Sequence, residues 1–157
     1  MLSYHVHEKA IMTVIIPLTL LSTTSIDHAR IYILTSAVGH FGLFPLLFRP
    51  VEMQFKVVSY LIHLVLSENL LENYFNDGQK AAQPVLLKMD RVGFLLLALV
   101  FLFAEVFHPL LFKPHGKFEF LPLLIQSVVC ALGLVYCWVY SFLLLRRCIK
   151  ENKEKTA

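Results

Sequence analysis

The chain has 157 residues, 57% of them hydrophobic and only 16% charged, with a formal net charge of +3. A soluble domain carries about 25% charged residues, and a mean hydropathy of +0.67 places this sequence among all-α polytopic membrane proteins. The basic residues form no aromatic-interleaved patch, so no nucleic acid is expected as partner, and three cysteines make no disulfide framework.

The chain opens on Tyr4-His5-Val6-His7-Glu8-Lys9-Ala10-Ile11, which gathers two imidazoles, a carboxylate and an ammonium directly before an apolar run. Residues 1–9 read as a polar motif at the mouth of a membrane helix. Lys9 and a protonated imidazole suit a phosphate, because charge-assisted bonds to it are short and strong. Glu8 favours the charged form of a neighbouring histidine. A helix beginning near Lys9 would add the partial positive charge of its free amides. The alternative is an interfacial anchor, with Lys9 snorkelling and Tyr4 in the aromatic belt. His5-Val6-His7 lacks a clear third ligand, so no metal is expected.

The apolar runs predict about five transmembrane helices, over about 10–26, 29–48, 55–71, 92–112 and 120–145, in a helix bundle covering 10–145. The first run is the weakest, with about 25 Å of helix against a hydrocarbon core of about 30 Å. It also has the features of a signal peptide, although no clean small-x-small cleavage site follows. The hydroxyls of Ser22-Thr23-Thr24-Ser25 are placed to bond back to its last carbonyls. Asp27-His28-Ala29-Arg30 reads as a connection. The second run holds Gly39, Gly42 and His40, an imidazole bonded to a neighbouring helix or, secondarily, a substrate-pocket residue.

Arg49-Pro50-Val51-Glu52 reads as a turn, and 74–91 as a basic loop with Lys80, Lys88 and Arg91. Glu105 lies inside the fourth run, where about fifteen strongly apolar residues outweigh its cost of about 3 kcal/mol. It is expected to face a histidine, a lysine or an aqueous vestibule. Cys130 and Cys137, one heptad apart, should share a buried face of the fifth helix. Lys/Arg bias puts the basic tail, 146–157, in the cytosol and the motif on the opposite side. Lys153 and Lys155, fifth and third from the end, fit a dilysine retrieval signal read by coat proteins. No phosphate-binding loop, dinucleotide turn or nucleophile elbow occurs.

His5-Val6-His7-Glu8-Lys9-Ala10-Ile11 and Gly39-His40-Phe41-Gly42-Leu43-Phe44-Pro45-Leu46-Leu47-Phe48 resemble stretches of the endoplasmic reticulum glucosyltransferases that use dolichyl phosphate glucose. The likeness continues more loosely through Pro122-Leu123-Leu124 and Ser127-Val128, and is nearest to the member that adds the second glucose. It implies the C-terminal portion of a lumenal, lipid-donor (GT-C type) glycosyltransferase, multi-pass in the endoplasmic reticulum membrane. Glucose would pass from dolichyl phosphate glucose, a donor substrate with no cofactor, to the monoglucosylated dolichol-linked oligosaccharide. The new bond would be α-1,3, made with inversion, in the assembly of the precursor for protein N-glycosylation. His7 and Lys9 would meet the donor phosphate or sugar, Glu8 would orient them, and His5 is a lesser candidate. The family's catalytic carboxylate belongs to a loop with no counterpart here, so this chain alone is expected to be inactive. A non-catalytic membrane subunit or scaffold, or a small transporter, is the alternative.

Overall fold

The computed structural model describes residues 2–44, 50–77, 84–108 and 120–156; within these, side chains are described except at 2–10, 50–53, 106, 151–152 and 154–156. Most of the described residues are helical, with no strand among them. They form α1 (Leu2–Leu21), α2 (Ile26–Gly42), α3 (Pro50–Asn76), α4 (Lys88–Leu102) and α5 (Leu121–Thr156). A π-helical turn, Phe103–Phe107, continues α4.

Helix α2 is the axis of the bundle and packs against α1, α3 and α5. Its sequence permits this because Ala29, Ser36 and Ala37 are fully enclosed, and small residues let neighbouring backbones approach. Two glycines mark the closest approaches. A Cβ on Gly39 would stand 2.8 Å from Ile11 Cγ1 of α1, and one on Gly133 of α5 would stand 2.9 Å from Val38 Cγ2 of α2. The core runs along α2 in two clusters. Ala29, Ile33 and Leu34 meet Leu71, Val85, Leu86 and Cys137, while Val38, Phe41 and Phe44 meet Leu97, Val100 and Cys130. Cys130 and Cys137 do share a buried face of α5, and Cys148 is exposed.

The ends of the helices explain where the sequence expectations shift. Thr19, Ser22, Thr23 and Thr24 donate hydroxyl hydrogen bonds to Ile15 O, Thr19 O, Leu20 O and Leu21 O, so α1 is closed by the anticipated back-bonding. Ser25 Oγ then caps α2 by accepting from the His28 amide at 3.2 Å. Residues 27–30 are therefore the first turn of α2 and not a connection. Pro50 is the first residue of α3, where a missing N–H costs nothing, so Pro50 and the next residues open that helix instead of forming a turn. Lys88 and Arg91 belong to the start of α4 and not to a loop. The motif is also inside a helix: α1 begins at Leu2, so the amide of Lys9 is within the helix and is no free donor at its end.

Helix α5 is long and apolar enough to cross a membrane over Leu121–Lys150, and 11% of its most apolar stretch is buried in the bundle. Among the described residues it is the one helix that meets that measure alone; Ile11–Leu21 is a shorter apolar helix. Large apolar side chains nonetheless cover the outside of α3, including Phe55, Val58, Leu61, Ile62, Val65 and Leu66, each more than half exposed. Apolar patches on that scale mark surfaces that meet something other than water.

Candidate functional site

Two polar centres lie inside this apolar frame, at opposite ends of α2. At its start, Arg30 Nε and Nη2 donate to Asp90 Oδ2 and Oδ1 at 2.6 and 2.8 Å. The two side chains are 7% and 0% exposed. Tyr136 of α5 completes the centre, its hydroxyl accepting from Arg30 Nη2 at 3.0 Å and donating to Asp90 Oδ1 at 3.3 Å. Asp90 Oδ2 also accepts the Leu87 amide at 2.8 Å, which caps α4. The Arg30 guanidinium lies over the Tyr140 ring, 4.5 Å from its centroid, and Tyr140 donates to Asp27 Oδ1 at 2.8 Å. This centre ties α2, α4 and α5 together with its charges compensated. The loop reading of Arg30 is corrected here, because it is a buried ion-pair partner.

The other centre lies toward the end of α2. His40 Nδ1 stands 2.6 Å from Ser36 O on its own helix, so its bond is not to a neighbouring helix. Its ring meets His63 of α3 instead, with centroids 4.8 Å apart. His63 Nε2 is 3.3 Å from Ser36 Oγ, whose hydroxyl donates to Ile33 O. Farther along, Lys56 Nζ donates to Phe44 O at 3.2 Å and stands 3.6 Å from Glu105 Oε1. Glu105 thus has the lysine partner that its place in an apolar run requires. Gln126 of α5 donates to Phe41 O at 2.8 Å, satisfying a carbonyl in the last turn of α2.

The backbone of His5, His7, Glu8 and Lys9 is helical, and their side chains lie outside the described residues. Because α1 runs antiparallel to α2 and Ile11 faces Gly39, the motif backbone extends toward the end of α2 near which Lys56 of α3 and Glu105 of the π-helical turn meet. Lys153 is exposed on the last turns of α5, and the side chain of Lys155 lies outside the described residues. Among the described residues no group of three histidine, cysteine or carboxylate side chains is placed to hold a metal ion. Sequence reading missed Asp90 and Lys56 as partners. The available signals were an acid in the first turn of α4 and a lysine inside an apolar run.

These features define a helical protein with large exposed apolar faces, an enclosed polar centre at the start of α2 and a half-buried one near its end, and comparison with known proteins gives its family. The chain belongs to the ALG6, ALG8 glycosyltransferase family, whose model matches residues 1–141. It is 33% identical over 156 residues to the mouse protein named dolichyl pyrophosphate Glc1Man9GlcNAc2 alpha-1,3-glucosyltransferase, covering 98% of this chain and 29% of that one. The cattle protein of the same name is 33% identical over 139 residues, covering 88% and 26%. The Arabidopsis thaliana protein of that name is 32% identical over 146 residues, covering 88% and 28%. The chain thus spans under a third of the length of the curated relatives it matches. No solved structure matches it.

Proposed function

We propose that these residues are part of an inverting α-1,3-glucosyltransferase that moves glucose from dolichyl phosphate glucose to a monoglucosylated, dolichol-linked oligosaccharide. The observation that carries this reading is 33% identity to a glucosyltransferase of that acceptor, sustained over 98% of the chain. In the reaction, the acceptor 3-hydroxyl attacks C1 of the glucose from the face opposite the phosphate. Its proton goes to a base, the C1–O bond breaks, and the phosphate keeps the bonding electrons. A β-linked donor then yields an α-linked product. His7 and Lys9 stabilise the charge growing on the leaving phosphate, with Glu8 orienting them and His5 flanking. His40 is a secondary pocket candidate.

The base is a carboxylate outside these 157 residues, so this chain alone transfers no glucose. The chain crosses the endoplasmic reticulum membrane about five times, with the motif lumenal and the C-terminus cytosolic. Lys153 and Lys155 serve as the retrieval signal for coat proteins. The exposed apolar faces of α3 and α5 support the membrane part of this reading. The test is glucose transfer by membranes carrying the complete polypeptide that contains these residues. His7→Ala and Lys9→Met should each lower transfer by about 100-fold, the scale of losing one charge-stabilising contact, at unchanged protein level. Full transfer with both substitutions overturns the site, and transfer by the purified 157-residue chain overturns the placement of the base.

A further inference from the structure

Ser36 and His40 lie one turn apart on α2, so they share a face, and His63 of α3 reaches that face. The hydrogen bonds among these three side chains fix which ring nitrogens carry hydrogen. Ser36 O can only accept, so His40 Nδ1, 2.6 Å away, holds the hydrogen of that bond. The single hydrogen of the Ser36 hydroxyl is committed to Ile33 O at 3.1 Å. Ser36 Oγ therefore accepts from His63 Nε2 at 3.3 Å, and His63 carries its hydrogen there. At neutral pH an imidazole without a carboxylate partner is mostly neutral and holds one hydrogen. Among the described residues no carboxylate contacts either ring. Two nitrogens are left bare, Nε2 of His40 and Nδ1 of His63.

Neither bare nitrogen has a hydrogen-bond partner among the described residues. The side-chain polar atom that is both enclosed and unpartnered there is Tyr60 Oη, so these two nitrogens are not enclosed. Both histidines are half-buried, and their ring centroids are 4.8 Å apart. The edge contact of Tyr32 with His63, at 6.3 Å, steadies the second ring. The pair thus offers a ligand two acceptors and no free donor. A phosphate oxygen, itself an acceptor, finds no partner here, whereas a hydroxyl does. The separation of the rings is comparable with that of hydroxyls around one sugar ring.

The pair also stands level with the motif. Ile11 of α1 faces Gly39 on an antiparallel neighbour. At 1.5 Å of rise per residue, the Lys9 backbone lies about 3 Å beyond that contact and His40 about 1.5 Å beyond it, in the same direction.

We propose that His40 and His63 bind hydroxyls of a glucose unit, accepting hydrogen bonds through His40 Nε2 and His63 Nδ1. The proposal rests on the glucose-transfer reading above and deepens it, giving the sugar a contact separate from the phosphate contacts of the motif. The glucose on the donor and the glucose capping the acceptor offer the same chemistry, and the two arms of the test separate them.

The test measures kcat/KM for glucose transfer by the complete polypeptide. One arm uses dolichyl phosphate glucose and its 2-, 3-, 4- and 6-deoxy forms. The other uses acceptors whose capping glucose lacks the 2-, 4- or 6-hydroxyl. Removing a hydroxyl that the pair binds should lower the wild-type value about tenfold. His40→Ala and His63→Ala should each lower it by a similar factor with the complete substrate. With the deoxy substrate they should cause no further loss. His40→Gln, whose side-chain oxygen can accept in place of Nε2, should recover most of the loss. The ratio between substrates does not depend on how much of a variant folds, so a poorly folded variant still gives a result. Coupling to a donor hydroxyl places the transferred glucose at the pair, coupling to an acceptor hydroxyl places the capping glucose there, and either upholds the proposal. Loss by one factor with every substrate is what a purely structural pair would give, and it overturns the proposal while leaving the glucosyltransferase reading intact. No transfer by the wild type overturns both.

Discussion

Asp90 is the residue whose replacement should cost the most. Its carboxylate is enclosed and compensates a buried guanidinium, so Asp90→Ala leaves Arg30 charged without a partner. Breaking one side of such a pair costs about 3–5 kcal/mol. Thermal unfolding in detergent should show that loss, and the double variant Arg30→Met with Asp90→Leu should regain most of it. Tyr136→Phe removes one hydroxyl from the same charges and should cost about 1.5–3 kcal/mol. Tyr60→Phe, by contrast, deletes a buried hydroxyl with no partner among the described residues, and stability should hold or rise. None of these pairings was legible in the sequence. Arg30 and Asp90 are 60 positions apart, each beside other charges that read as connections, and only the packing of both α2 and α4 against α5 brings them together. Glu105 was more legible, because a carboxylate inside an apolar run demands a partner.

At the scale of the helix, the bundle depends on how closely α2 is approached. Gly133→Ala puts a methyl 2.9 Å from Val38 Cγ2, and Val38 is β-branched and cannot rotate away freely. Overpacking of this kind costs about 1–3 kcal/mol, and Val38→Ala in the same chain should restore most of the melting temperature. If Gly133→Ala melts like the wild type, the close approach of α2 and α5 is wrong. The existence of the helices was readable from run lengths, and the hydroxyl closure of α1 from Ser22-Thr23-Thr24-Ser25. Their starts were less so. Helix α2 begins at Ile26 because Ser25 caps it, and α3 begins at Pro50 because proline is tolerated in a first turn. Counting apolar residues moved both starts inward, since the first turns of these helices carry charge.

For the whole molecule, the proposed membrane orientation can be read from its own cysteines. Cys148 is exposed beside Arg146 and Arg147, while Cys130 and Cys137 are buried. In sealed microsomes a membrane-impermeant maleimide should label Cys148 without detergent and spare the other two. Labelling of Cys148 only after permeabilisation would invert the topology and put the motif in the cytosol. The central claim concerns chemistry, and glucose transfer by the purified complete polypeptide tests it most directly. Given radiolabelled dolichyl phosphate glucose, it should add one α-1,3-linked glucose to a monoglucosylated lipid-linked oligosaccharide and none to the unglucosylated one. No transfer to the monoglucosylated acceptor, or equal transfer to both, would contradict the account.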